Sequence, residues 1–487
     1  MPKQRHDPNA LFLLAAIGLT AAFAFSCAGK PQVAGSTSPA QPEKGAAAKV
    51  PRTAQEKKIA EIQGVDKLLQ NGNADAAVAK LDELSSSQPK TSELKLLKAA
   101  ALASAGKLDE ARSETNSVLA AEPNNVKAIT MAANLAHFAG DEKTRKSLLD
   151  RGIVAGPTDP DVLTAWGQYL LDQKDWKTAE GYFRRAQVLD ARNFDAALGL
   201  GQSLYRQARY PEAETALDNA VALDPASPFG YQDRSKVRYQ LGKYDGAIKD
   251  MDDAIAKAPD SSWLYLERGR MRLNAGQKPE AIDDFTKSIQ YEPDYFLPYV
   301  YRAGIYEETG NDEGARDDYT KILAIEPDYW YAHESLGAVN FRLAKWNDSA
   351  AHFKEAYNKA PDQYEYAILS GLALLRAGKN AEAKAWAGQV APTIDRDKNG
   401  LSWLMLRLIQ DQNDQSAELE IQIQSEKSLD DKAASLFYLG EYWLARGRDE
   451  LAMKYFILCR DMQRVQCLEY RLLVPELKRL GTTEAHG

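Results

Sequence analysis

The chain has 487 residues, with 61 Lys and Arg against 69 Asp and Glu, a formal charge of −8. That modest acidity argues against nucleic acid or anionic lipid as the main partner, because phosphate recognition needs clustered cations. Charged residues are 27% and hydrophobic residues 44%, ordinary for a soluble domain, and beyond the N-terminus no apolar run approaches membrane-spanning length.

Residues 1–26 read as an export segment outside the fold. Lys3 and Arg5 give a positive start, and Leu11 to Phe25 is apolar. The small residues before Cys27 resemble a bacterial lipoprotein processing site, at which the cysteine becomes the acylated N-terminus. Cleavage after Ala24, where Ala22-Phe23-Ala24 fits an A-x-A site, and an uncleaved anchor are the other readings. The run falls short of the roughly 20 residues that a spanning helix needs. Residues 27–54, with Lys30-Pro31, Gly35-Ser36-Thr37-Ser38-Pro39 and Pro51, are neither periodic nor apolar, so they are expected to form a disordered tether. As a flexible coil it would reach about 30 Å.

From residue 55 a ruler of 34 residues runs through the chain. Pro89, Pro123, Pro157, Ala191, Pro225, Pro259, Pro293, Pro327 and Pro361 stand at equal intervals. Each proline ends one helix, and the following Asp260, Asp294 and Asp328 are expected to supply carboxylates near the start of the next. Gly72, Gly106, Gly140, Gly242, Gly276 and Gly310 keep the same phase between two apolar-periodic runs and read as left-handed helix caps. Small residues recur at the eighth place (Gly167, Gly201, Ser235, Gly269, Ala303, Gly337) and at the twentieth (Ala179, Ala213, Ala247, Ala281, Ala315), where two helices must approach closely. Arg145 and Ser349 depart from the pattern at the twentieth place.

This pattern resembles the tetratricopeptide repeat family over residues 58–466. The resemblance implies an all-α fold, a right-handed superhelical solenoid of helix-turn-helix repeats: ten over 55–397, then degenerate units and a capping helix over 398–487. Neighbouring units bury one another's apolar stripes, which predicts one long cooperative array. Two helical runs over 398–432 lack the motif, after which Leu439-Gly440, Gly447, Ala452 and Phe456 restore it one residue out of phase. Leu468, Leu472, Leu473, Leu477 and Leu480 form the apolar face of a closing helix, broken at Pro475.

Catalytic chemistry is sparse, and no enzyme is expected. His137, His333 and His352 match no metal or nucleophile spacing, and no phosphate loop, HExxH or nucleophile elbow occurs, so neither metal nor cofactor is predicted. The doublets Asp252-Asp253, Asp283-Asp284 and Asp317-Asp318 read as solvated charge. Cys459 and Cys467 leave either a disulfide or plain thiols open.

In the family, the first helix of each repeat lines the concave face. That places Gln202, Tyr205, Arg206, Phe229, Lys236, Tyr239, Trp263, Arg270, Tyr331, Phe341 and Arg342 there as candidate partner-binding residues, with aromatic packing between repeats as the other reading for Phe229, Trp263 and Tyr331. Aromatic and arginine side chains among polar ones suit a protein-binding surface. No unit over 160–397 carries the Lys and Asn that the family uses to clamp chaperone tails. Within the chain, Arg234, Arg268 and Arg302 at the seventh place occur only where Asp250, Asp284 and Asp318 hold the twenty-third, which predicts three intra-repeat ion pairs. The functional expectation is a lipid-anchored scaffold in the bacterial cell envelope, facing the periplasm and binding an envelope protein or peptide. The alternative is a receptor passing a peptide or small solute to a transporter.

Overall fold

The computed structural model describes residues 62–65, 67–69, 72–87, 91–411 and 416–481, so the expected export segment, Cys27 and the expected tether lie outside them. The described residues form helices and the turns that join them. They divide into two compact units, one ending at Lys257 and the next beginning at Ala258, where the repeat pattern predicts one unbroken array.

In the first unit the helices are α1 Ala74–Ser87, α2 Ser92–Ser104, α3 Leu108–Ala121, α4 Val126–Phe138, α5 Glu142–Ala155, α6 Pro160–Asp172, α7 Trp176–Leu189, α8 Phe194–Arg206, α9 Tyr210–Leu223, α10 Pro228–Gln240 and α11 Tyr244–Lys257. The second unit has α12 Ser262–Asn274, α13 Lys278–Tyr291, α14 Phe296–Glu308, α15 Asp312–Ile325, α16 Tyr331–Arg342, α17 Trp346–Lys359, α18 Tyr364–Arg376 and α19 Asn380–Val390. It continues with α20 Gly400–Asp411, α21 Ser416–Ser425, α22 Leu429–Leu444, α23 Asp449–Asp461 and α24 Leu468–Arg479. In each unit every helix packs on the next, and the first helices of successive repeats in the first unit, α2 to α10, also touch one another.

Two local rules make the hairpins. The residue closing the first helix takes positive φ, from 70° to 78° at Gly140, Gly242, Gly276 and Gly310. Lys174, Ala208 and Ala344 adopt the same conformation at φ 63°, 57° and 56° although they are not glycine, because the turn's geometry is imposed by the helices it joins. The second rule is close approach at the eighth place. A Cβ on Gly167 would sit 2.6 Å from Phe183, and one on Gly199 2.3 Å from the same ring, so the phenyl fills the space that both glycines vacate. Gly440 and Phe456 repeat this geometry in the α22–α23 hairpin, at 2.3 Å.

Several expectations change on contact with the fold. Arg145 and Ser349 are both buried, and each finds a polar partner: Arg145 reaches Asp172 at 2.7 Å, and Ser349 Oγ donates to the Gly337 carbonyl at 2.8 Å. The helices therefore pair normally there. Asp260 and Asp294 are not the caps of α12 and α14; Ser261 and Tyr295 hold those places without a side-chain cap bond. Helix α24 runs through Pro475 without ending, since burial of Leu472, Leu473 and Leu477 holds the turn whose hydrogen bond proline removes. Nor does α24 simply cover the end of the stack. It packs on α22 and α23 and also returns to α16.

Candidate protein-interaction surface

In the first unit, α8 and α10 lie side by side and present the residues singled out in the sequence. Gln202 Nε2 donates to Asp233 Oδ2 at 2.7 Å, tying the two helices, and Lys236 Nζ reaches Asp233 Oδ1 at 2.9 Å. Tyr205 packs on Tyr210 and Tyr239 on Tyr244, with ring centroids 5.7 and 5.2 Å apart, while the Arg206 guanidinium lies 5.7 Å from the Trp176 ring. Phe229, Gln202, Tyr205, Lys236 and Tyr239 are half-buried and Arg206 is exposed, so this strip is braced yet open to solvent. It combines aromatic faces, amide donors and paired charge, the mixture that suits binding of a polypeptide.

The second unit separates its candidates into two groups. Arg270 is exposed, pairs with Glu267 at 2.7 Å and lies 5.6 Å from the Tyr301 ring centroid. Tyr331 is 56% exposed and stacks on Trp330 at 4.0 Å, and Trp263 is half-buried. Phe341 and Arg342, by contrast, are not available to a partner. Phe341 is fully buried against Trp346 and Phe437, and the Arg342 guanidinium is held by Glu307 at 2.8 Å and by Asp312 at 2.7 Å. The covering elements are α22, where the repeat pattern returns out of phase, and α24, the closing helix.

Behind these surfaces lie the three Arg–Asp pairs. Arg234 Nη2 is 2.7 Å from Asp250 Oδ1, Arg268 Nη2 2.5 Å from Asp284 Oδ1, and Arg302 Nη2 2.7 Å from Asp318 Oδ1. In each pair the Arg Nε also donates to the same carboxylate, which gives the two-pronged geometry in which guanidinium recognition is strongest. A second arginine joins two of them, Arg238 on Asp250 and Arg272 on Asp284, both at 2.9 Å. Burial raises the Asp284 and Asp318 carboxyls above the usual range, with their arginines pulling the other way. Asp284 and Asp318 are thus not solvated, unlike their exposed neighbours Asp283 and Asp317.

Tetratricopeptide repeat profiles match residues 68–135, 164–228 and 233–295. The chain is a tetratricopeptide repeat protein. Among solved structures, this repeat protein is similar to the Cut9–Hcn1 hetero-tetramer of the APC/C, at 19% identity over 61% of this chain and 59% of that one, with a TM-score of 0.43. It is also similar to PilF of Pseudomonas aeruginosa, at 14% identity, 44% and 97% coverage and a TM-score of 0.38. MamA of Desulfovibrio magneticus RS-1 gives 20% identity, 35% and 96% coverage and a TM-score of 0.32. No curated protein matches it. A repeat fold of this kind serves protein–protein interaction, and it is typically a non-catalytic scaffold.

Two constellations in the repeat protein escape a reading by period. In the first, Arg376 of α18 lies 2.5 Å from Glu441 of α22 and 3.1 Å from Glu476 of α24, both carboxylates being fully buried. Arg479 pairs with Glu476 and donates to the Arg342 carbonyl, and both arginines lie over Trp346, with Arg376 4.2 Å from the ring centroid. Partners 65 and 100 residues apart leave no trace at an interval of 34. The second is a histidine pair, His333 and His352, whose Nδ1 atoms lie 3.0 Å apart across the α16–α17 hairpin. Cys459 and Cys467 are both free thiols, Cys459 buried and Cys467 with its Sγ 3.4 Å from Asp430.

Proposed function

We propose that this protein is a membrane-tethered scaffold of the bacterial cell envelope, anchored through Cys27 and gathering a protein or peptide partner on the first-helix face of its repeats. The observation that carries the reading is the strip on α8 and α10. There Gln202, Tyr205, Arg206, Phe229, Lys236 and Tyr239 stay accessible, whereas the corresponding Phe341 and Arg342 of α16 are covered. An extended polypeptide lying across two neighbouring first helices would meet aromatic faces for its apolar side chains and Gln202, Asp233 and Lys236 for its backbone and charges. The export segment and Cys27 supply the anchoring half of the reading, and among the described residues no helix is long and apolar enough to cross a membrane.

The test separates the two halves. A photo-crosslinker at Tyr239 in the full-length protein, expressed in bacterial cells, is expected to capture a defined envelope protein. The same group at Val188, 86% exposed on the second helix of its repeat, is expected to capture little. Equal capture at both positions removes the binding surface. Cys27→Ala is expected to release the protein from the membrane fraction and to remove the lipid mass; unchanged fractionation and mass remove the anchor.

A further inference from the structure

Between α17 and α19, with α18 as its floor, lies a cavity of about 360 Å³. Other repeats fill the equivalent space with an arginine. Arg234 of α10 spans its two flanking second helices, donating to Asp218 of α9 at 2.9 Å and to Asp250 of α11 at 2.7 Å. Arg302 of α14 likewise reaches Thr286 of α13 and Asp318 of α15, both at 2.7 Å. In α18 Ser370 holds that register. Its buried hydroxyl donates to the Ala350 carbonyl at 2.9 Å, so it stays on the floor and leaves open the path along which an arginine would run.

The groups at the two ends have changed with it. Trp386 stands at the register of Asp250 and Asp318, and Lys354 at that of Asp218 and Thr286, so an indole and an ammonium replace the acceptors that hold a guanidinium. Trp386 is fixed as a wall: its Nε1 donates to the Ala367 carbonyl at 2.9 Å, and its ring meets Tyr357 in a T-shaped contact at 5.7 Å. The Lys354 ammonium lies 4.9 Å from the indole centroid. Ala350, Ala351, Tyr357 and Asn358 stand three and four residues from it on α17, and no carboxylate among the described residues forms an ion pair with it. The other charges of the lining, Lys379 and Glu382, pair with each other at 3.2 Å, so one positive charge remains uncompensated. Leu374 and Ala385 add apolar surface below it.

We propose that this cavity binds a small organic carboxylate, with its apolar body between Trp386 and Leu374 and its charge on Lys354. A cationic ligand would meet Lys354 with like charge, and a neutral one would leave the ammonium without a counter-ion; a carboxylate on an apolar body answers both surfaces. The volume stands at the lower end of the roughly 300–1,000 Å³ of ligand pockets, which suits a body of one ring or a short branched chain. A free carboxylic acid and the C-terminal residue of a polypeptide both carry this chemistry. The site opens between second helices and is separate from the first-helix strip of the proposed function.

The experiment is fluorine NMR on the full-length protein labelled with fluorotryptophan, in which the signal lost in Trp386→Phe reports the cavity. Hydrocinnamate is expected to move that signal saturably, at the roughly millimolar Kd of a probe this small. Its uncharged amide should bind about tenfold more weakly, the loss of one hydrogen bond to a charged group. Lys354→Met should lower hydrocinnamate affinity to the same extent while Lys354→Arg retains it, and Ala351→Phe, at the exposed rim, should block the cavity. Melting temperatures check that these surface variants fold. A short peptide ending in Phe separates the sources: binding of its free acid but not of its amide assigns the site to chain ends, and binding of hydrocinnamate alone assigns it to free acids. Absence of a saturable Trp386 shift with either acid, equal binding of hydrocinnamate and its amide, or undiminished binding by folded Lys354→Met overturns the proposal.

Discussion

The two units build the same repeat in different ways. In the first, side chains of Thr91, Asn125, Asp159, Asn193 and Ser227 cap the N-termini of α2, α4, α6, α8 and α10. In the second, Ser261, Tyr295, Trp330 and Gln363 hold the equivalent places before α12, α14, α16 and α18 with no side-chain cap bond. The faces differ as well. In the first unit the strip on α8 and α10 stays accessible; in the second, α22 and α24 cover α16 and α18 through buried charge. A single 34-residue period thus sets the hairpin but leaves open whether its inner face meets solvent, and only an accessible face can serve a partner.

The largest effect is expected where the closure depends on charge. Arg376→Met would strand the fully buried Glu441 and leave Glu476 with Arg479 alone, and loss of one partner from a buried pair is worth about 3–5 kcal/mol. Hydrogen exchange should accelerate in α22 and α24 and remain unchanged in α4 to α10. Equal acceleration in both units would dissolve the distinction between them.

Acidity should separate the units next. Burial raises Glu365 of the second unit to about 7, with Glu469 and Glu334 adding to it, and raises Asp195 of the first to about 8. A carboxyl raised on folding holds its proton more tightly in the folded state. Its unfavourable contribution is therefore absent below the unfolded value near 4.5, grows as pH rises, and is complete above the folded value. Glu365→Gln should leave stability unchanged at acid pH and raise it by on the order of 2 kcal/mol at pH 8, with the gain confined to the second unit. A gain that did not vary with pH in chemical denaturation would contradict this.

The smallest effects come from the turns that lack glycine. Ala208→Gly in the first unit and Ala344→Gly in the second relieve positive φ at a recurring step of the ruler, and each should stabilise its own unit by about 1 kcal/mol. Gln363→Asp should add a comparable increment by giving α18 the side-chain cap that α6 already has in Asp159. A loss in thermal melts with any of the three would mean that the present side chains make contacts worth more than the backbone relief.

Period and residue type carried the helices, their turns and their close approaches. Fixed glycines announced positive φ, small residues at the eighth place announced the seats of Phe183 and Phe285, and the joint appearance of Arg302 with Asp318 announced their contact, since each of these acts within about one repeat length. Phe341 and Arg342 shared the groove register of Tyr205 and Tyr239, and nothing local distinguished them. The burial of Phe341 depends on where residues 429–479 return, a return set by Arg376, Glu441, Glu476 and Phe437, whose partners lie far apart in the chain, whereas Arg342 is engaged by Glu307 and Asp312 about one repeat back. Local periodicity specifies each hairpin because its contacts lie within reach of one repeat; which face ends up accessible is decided by long-range packing, in which burial and charge pairing count and sequence spacing does not.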